Sequence, residues 1–293
     1  MITAHPTGAA LGAEIRGVDL SQPLEEAVVK RLDDLWLEHE VIYFRDQHLT
    51  PEQHIAVSER FGDVEQHVRI DCCRKDHPRI FIVSNIIENG KPIGAGDAGT
   101  RWHFDGCCTE RPSRGSLLYG VIVPEKDGVP VGDTMFSSMT KAYEALSPEW
   151  KARLRGMKAL NSYAKGYYRP IKATKRPELT AEQLKKVPEL EVPVVRRHPF
   201  TGKPCLFVND TFTARIAGVS EAESNEILEF LFDHVTRPEF IFRHQWRKGD
   251  LLMWDNCATQ HRAINDYESL PRRMERTTVM GTASVLDPLA FAA

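Results

Sequence analysis

The segment Trp102-His103-Phe104-Asp105 sets an imidazole and a carboxylate two residues apart. On a strand, side chains at i and i+2 project from the same face, so both groups can converge on one ion. A second imidazole, His261, stands far downstream in Trp254-Asp255-Asn256-Cys257-Ala258-Thr259-Gln260-His261. Two histidines and one carboxylate fill one face of an octahedron and leave three positions open. That set suits Fe(II), which needs vacancies for a chelating cosubstrate and for O₂. A structural zinc site would be closed by a fourth ligand, and none stands out. Arg272 and Arg276 follow in Pro271-Arg272-Arg273-Met274-Glu275-Arg276. A guanidinium fork grips a carboxylate through two parallel hydrogen bonds, which a lysine cannot reproduce.

These groups need a scaffold. Alternation in Gly12–Leu20 reads as a strand, and Val41-Ile42-Tyr43-Phe44 as a buried one. Between them Leu24, Val28, Leu32, Leu35 and Trp36 share a face, which predicts a helix from about Leu24 to Glu38. Thr50-Pro51-Glu52-Gln53 is an N-cap signature and predicts a helix to about Arg60. From Arg79 on, short apolar runs are broken by Gly, Pro, Asn and Asp. Strands are expected at Ile80–Val83, Ser116–Tyr119, Pro193–Val195, Cys205–Val208, Phe240–Phe242, Leu251–Trp254 and Thr277–Met280. Helices are expected at about Thr140–Leu154 and Glu221–His234, the latter capped by Ser220. Many short strands with few helices suggest a mostly β (α+β) chain built as an antiparallel barrel or jelly roll. No repeat or linker divides it, so residues 1–293 read as one domain.

Composition bounds the function classes. The 293 residues carry 38 Lys plus Arg against 41 Asp plus Glu, a net charge of −3, with 42% hydrophobic residues. This is a globular balance, without the basic excess expected of a nucleic-acid binder. No apolar run approaches the roughly 20 residues that span a bilayer, so no membrane role is expected. The six cysteines include the adjacent pairs Cys72-Cys73 and Cys107-Cys108, which do not close ordinary disulfides. With no secretion signal at the N-terminus, a reduced, cytoplasmic chain is the expectation.

Taken in order, Trp102-His103-x-Asp105, Gly132-Asp133-Thr134, Trp254-Asp255-Asn256-x-x-x-Gln260-His261 and Arg272-x-x-x-Arg276 resemble the TauD/TfdA family of Fe(II)- and 2-oxoglutarate-dependent dioxygenases. The resemblance runs from about Gly8 to Gly281. It implies a double-stranded β-helix core (jelly roll, cupin-like) with flanking and inserted helices. It further implies His103, Asp105 and His261 as iron ligands, with Fe(II), 2-oxoglutarate and O₂ as cofactors. Arg272 resembles the arginine on the distal carboxylate of 2-oxoglutarate, Thr134 the hydroxyl that assists it, and Arg276 lies toward the same end. Arg276 and His67 also match the positions that receive the anionic group of the primary substrate, so a small carboxylate or sulfonate is implied.

Gly99 and Gly106 depart from the pattern of taurine-oxidising members, with Gly106 among the implied substrate contacts, and the small thiols of Cys107 and Cys108 beyond would leave room beside the metal. The run Asn161–Pro170 and the polar stretch after it, together residues 161–190, suggest a lid with Lys165, Tyr168 or Arg169 as further substrate anchors. That segment also looks like the branch that oxidises N-alkylated glycines to isonitriles. A non-catalytic metal-binding barrel or sensor, and a zinc or manganese hydrolase or isomerase, are the readings from other classes. Family members are usually homo-oligomers, which implies a dimer or tetramer.

Overall fold

Val41–Phe44, the strand that reads as buried from its sequence, lies inside a seven-stranded sheet. Its order is Thr3–Pro6, Ala13–Arg16, Val41–Phe44, Leu251–Asp255, Gly115–Ile122, Arg273–Val279 and Phe81–Ser84. All neighbours are antiparallel except Ala13–Arg16 and Val41–Phe44. The chain, seen here in a computed structural model, is described over residues 1–96, 98–168, 178–267 and 269–282.

Period-two alternation divides this sheet's side chains between two cores. Ile42, Phe44, Leu117, Leu251 and Met253 point to one face, where the helices Glu26–His39 and Pro51–Glu59 cover them through Leu32, Leu35, Trp36 and Val57. Val41, Tyr43, Leu118, Leu252 and Trp254 point to the other and meet Phe136, Phe242 and Trp246. The latter belong to, or lie just beyond, a three-stranded sheet ordered Ile241–His244, Thr134–Ser138, Thr259–Ala263. A third core packs the helices Met139–Glu144 and Glu221–Val235 against the small strands between Lys158 and Ile216. The result is α+β and mostly sheet, and among the described residues both large sheets are open, not a closed barrel.

Thr50 caps its helix as expected, and Gln53 bonds back to it to complete a capping box. Elsewhere the boundaries move for local reasons. The predicted helix Thr140–Leu154 is two, Met139–Glu144 and Pro148–Leu154. Pro148 has no N–H to continue the first, and Ser147 caps the second. The strand expected over Gly12–Leu20 is only Ala13–Arg16, and Pro193–Val195 is split between Leu190–Pro193 and Val195–Arg197. The strand expected at Thr277–Met280 begins earlier, at Arg273, because its polar first half lies against Phe81–Ser84 and Gly115–Ile122. His103 and Asp105 sit not on a strand but at a single β-bridge followed by a turn. Within 161–190 the described parts are the helices Tyr163–Tyr168 and Ala181–Lys186. Arg169 and its successors to residue 177 lie outside the described residues. No described helix is long and apolar enough to cross a membrane.

Candidate active site

One bridge joins two distant parts of the chain. His103 N donates to His261 O at 3.0 Å and His261 N to His103 O at 2.9 Å, which brings the imidazole centroids to 4.1 Å. His261 itself is held by the Thr259–Ala263 strand, opposite Phe136, with the Trp254 ring at 4.6 Å. Past Phe104 the backbone turns at Gly106, whose φ is +65°. A Cβ there would fall 2.1 Å from Ser113 Oγ, so the turn requires glycine. The turn directs Asp105 back at the two imidazoles. Its Oδ1 lies 3.9 Å from His103 Nε2 and its Oδ2 3.9 Å from His261 Nε2.

Each ligand is oriented by a further group. His103 Nδ1 donates to the Arg101 carbonyl at 2.8 Å, which leaves Nε2 with its lone pair when the ring is neutral. Ser116 Oγ donates to Asp105 Oδ2 at 2.7 Å and accepts from Asn256 Nδ2 at 3.2 Å. Asn256 Oδ1 in turn accepts from Trp254 Nε1 and from the Asp105 amide. Ser116 and Asn256 carried no assigned role in the sequence. The Trp254-Asp255-Asn256 motif held the signal for Asn256, while nothing in sequence marks Ser116.

The electrostatics suit a metal. Burial lowers the pKa of both imidazoles and so keeps them neutral, the ligating form. Burial opposes ionisation of Asp105, but the Arg276 guanidinium, helped by the Ser116 hydrogen bond, outweighs it and holds the carboxyl below the ordinary range. Ligand atoms of His103, Asp105 and His261 all lie within 4.8 Å of one another. A second such group, His198, Asp255 and Cys257, is already satisfied. His198 Nδ1 accepts from the Phe200 and Thr201 amides, so its Nε2 donates to Asp255 Oδ2 at 2.7 Å. Asp255 Oδ1 accepts from the Cys257 amide. That group holds the fold together and offers nothing to an ion.

The three ligands open onto a cavity of about 220 Å³. At one end is Arg272, 3% exposed. Its main chain is pinned by Ser84 Oγ and Asn85 Oδ1, and its Nη2 donates to Gly132 O at 3.2 Å. A Cβ on Gly132 would come within 2.9 Å of the Arg272 side chain, so glycine makes room for it. Among the described residues this buried guanidinium has no ion-pair partner. An unpaired buried charge is costly and calls for an anion. Thr134 stands in the same cavity, its Oγ1 accepting from Trp246 Nε1 at 2.9 Å with its own proton left to donate. The residues present therefore fit both a divalent metal and a dicarboxylate that reaches it.

Arg276 and His67 line another part of the cavity. Arg276 Nη1 donates to Asp105 Oδ1 at 2.5 Å, and its guanidinium lies 5.1 Å from the Phe81 ring. His67 packs on the same ring and its Nδ1 accepts from the Arg69 amide. Burial pushes its pKa down to about 3, so it is neutral with Nε2 protonated. Gly106, Cys107 and Cys108 are also in the wall. Two expected anchors lie elsewhere. On the helix Tyr163–Tyr168 the cavity receives Tyr163, Gly166 and Tyr167, one face at i, i+3 and i+4. That spacing turns Lys165 and Tyr168 away. Lys165 Nζ donates to the carbonyls of Asp210 and Thr213, and the half-exposed Tyr168 accepts from the Leu179 amide. A residue the sequence reading passed over, Glu65, faces the cavity instead.

Comparison with known proteins agrees with this chemistry. The family described as "Taurine catabolism dioxygenase TauD, TfdA family" matches residues 3–278. An alpha-ketoglutarate-dependent sulfate ester dioxygenase from Pseudomonas putida is 32% identical, covering 97% of this chain and 91% of that one. The alpha-ketoglutarate-dependent 2,4-dichlorophenoxyacetate dioxygenase of Cupriavidus pinatubonensis is 30% identical over 97% and 99% of the two chains. A solved taurine dioxygenase from Burkholderia xenovorans superposes with a TM-score of 0.80 at 32% identity, over 97% of this chain and 90% of the other. With its two histidines, one aspartate and buried unpaired arginine, this chain belongs to the TauD/TfdA family and is a non-haem Fe(II)- and 2-oxoglutarate-dependent dioxygenase.

Proposed function

We propose that the enzyme oxidises, by hydroxylation, a C–H bond of a small substrate bearing a carboxylate or sulfonate. The observation that carries this reading is the second arginine. Arg276 stands in the cavity wall beside the metal ligands, apart from Arg272; its Nη1 pairs with Asp105, while its buried Nε has no partner, so a donor remains for a second acid. Relatives named for sulfate esters and for 2,4-dichlorophenoxyacetate support an anionic class. Fe(II) and 2-oxoglutarate, when bound, supply the activation of O₂ coupled to release of succinate and CO₂. The chain's own part is placement. His103, Asp105 and His261 hold the metal, while Arg272 and Thr134 hold the distal carboxylate of 2-oxoglutarate. Arg276 and the neutral His67 receive the substrate's acid group, and the small Gly106 leaves space near the ligands. We further propose that the two large sheets are the halves of a double-stranded β-helix that works as a single domain.

Anaerobic addition of Fe(II) and 2-oxoglutarate is expected to give a weak visible charge-transfer band, absent in Asp105→Ala. Aerobically, a screen of sulfonates, sulfate esters and aryloxyalkanoates should reveal substrate-dependent succinate release in wild type. Full-rate, substrate-triggered succinate formation in Asp105→Ala is incompatible with the assignment.

A further inference from the structure

Thr134 meets the cavity with its hydroxyl already half used, and the group that uses it lies outside the cavity. Trp246 Nε1 donates to Thr134 Oγ1 at 2.9 Å, yet the indole is fully buried and lines no part of the cavity wall. Its place is fixed from two sides. The segment that carries it leaves the Ile241–His244 strand, in which His244 lies opposite Thr134, and the ring packs in the core with Phe136, Leu252 and Met274. The His244 ring stands edge to face against it, with centroids 4.7 Å apart at 84°, and His244 Nε2 is itself held by Asp250 Oδ2 at 3.1 Å. A hydroxyl can donate or accept, whereas an indole N–H can only donate. The Trp246 contact therefore occupies a lone pair of Thr134 and turns its proton away from the indole. Among the described residues no acceptor takes that proton.

We infer that Trp246 is a positioning residue for the cosubstrate, holding the Thr134 hydroxyl as a donor aimed into the cavity. This rests on the reading of Thr134 and Arg272 as the pair that holds the distal carboxylate, and it adds the residue that sets the polarity of that pair. Arg272 offers only N–H donors. With the Thr134 proton directed as well, both groups present hydrogens to whatever enters. An ionised carboxylate accepts from both. A methyl group in its place leaves them buried and unpaired, which costs more than a hydrogen bond is worth. Without the indole the hydroxyl is free to rotate, and ordering it again on binding weakens the grip on the carboxylate. Trp246 touches no part of the cosubstrate, so it acts only through Thr134.

The test is anaerobic titration of the Fe(II)-loaded enzyme, read from the visible charge-transfer band. The probes are 2-oxoglutarate and 2-oxopentanoate, which lacks the distal carboxylate. Removing the indole N–H should weaken 2-oxoglutarate by about 5- to 10-fold, the effect of one hydrogen bond, and leave 2-oxopentanoate unchanged. Trp246→Phe removes it with part of the ring. Benzothienylalanine placed at position 246 keeps the bicyclic shape and lacks only the N–H, so it gives the same answer where the smaller ring disturbs the core. Thr134→Val should weaken 2-oxoglutarate at least as much, and either change at 246 should then add nothing further. Thr134→Ser keeps a hydroxyl, so in that background the effect of the indole returns. Equal weakening of both probes, additive losses at 134 and 246, or wild-type binding with benzothienylalanine overturns the inference while leaving the reading of Thr134 standing. A Thr134→Val enzyme that binds 2-oxoglutarate as tightly as wild type overturns that reading and the inference with it.

Discussion

Ser116 spends its hydroxyl proton on Asp105 and its lone pair on Asn256, so the aspartate's orientation depends on a residue that touches no ion. Ser116→Ala removes the one neutral donor to the ligating carboxylate and leaves Arg276 as its remaining side-chain partner. Outer-shell partners of this kind are worth roughly 10–100-fold in metal affinity. We expect Fe(II) to bind Ser116→Ala about 10-fold or more weakly, measured by anaerobic titration, while the thermal midpoint moves little. At this scale the sequence was informative where chemistry demands a residue type. His103, Asp105, His261 and Arg272 stand out in the sequence because few side chains can ligate a metal or clasp an acid, and the fold gathers them at one cavity. Ser116 and Glu65 are not, because a serine in a strand and a glutamate in a loop are common everywhere. Only three-dimensional placement gives them meaning. Lys165 and Tyr168 lie off the cavity for a related reason, since which face of a short helix meets a cavity depends on the helix's rotation.

Among the elements, the strand Gly115–Ile122 is closely hemmed in at its start. It lies between Leu251–Asp255 and Arg273–Val279, and its first residue passes under the helix Glu26–His39. A Cβ on Gly115 would fall 2.2 Å from the Trp36 ring and 2.6 Å from the Trp254 carbonyl. Neither the buried indole nor the backbone can retreat far, so Gly115→Ala should destabilise by about 1–3 kcal/mol. Chemical denaturation would show a lower midpoint at unchanged slope. The metal site would also suffer, because Ser116 is the next residue. Helices with a capping signal, such as Pro51–Glu59, were readable to within a residue. The Arg273–Val279 strand was only half readable, because its arginines and glutamate look like a loop until neighbouring strands on both sides satisfy their backbone. The His103–Asp105 segment reads as a strand from its spacing, yet two hydrogen bonds to His261 suffice to place it.

Across the whole molecule, Glu40 ties three layers together. It ends the helix Glu26–His39 at φ +61°, and its carbonyl accepts from the Asp255 amide. Its Oε1 accepts from Ser138 Oγ, beside the three-stranded sheet. Oε2 is buried without a partner among the described residues. Burial raises this carboxyl from 4.5 to about 7. A folded-state value above the unfolded one means the fold binds the extra proton, so stability is full below about pH 4.5 and declines as pH rises through about 7. Glu40→Gln stays neutral and escapes that decline. The variant should match wild type in acid and exceed it progressively toward pH 8, by up to roughly 3 kcal/mol, read from thermal midpoints across the series. A gap that does not widen with pH would refute this account. The overall charge of −3 concealed such pockets, as it concealed the arginines of the cavity, because net charge sums over a surface and says nothing of what is buried.

The bridge between His103 and His261 joins residues separated by more than half the chain, and Asp105 approaches the same point from beyond a turn. A metal held by these three side chains is a cross-link across a very long loop. Closing such a loop restricts the unfolded chain more than a local contact does, so ligand binding is at once catalytic preparation and topological fastening. Loading the site with iron should therefore raise the chain's resistance to unfolding as well as enable turnover.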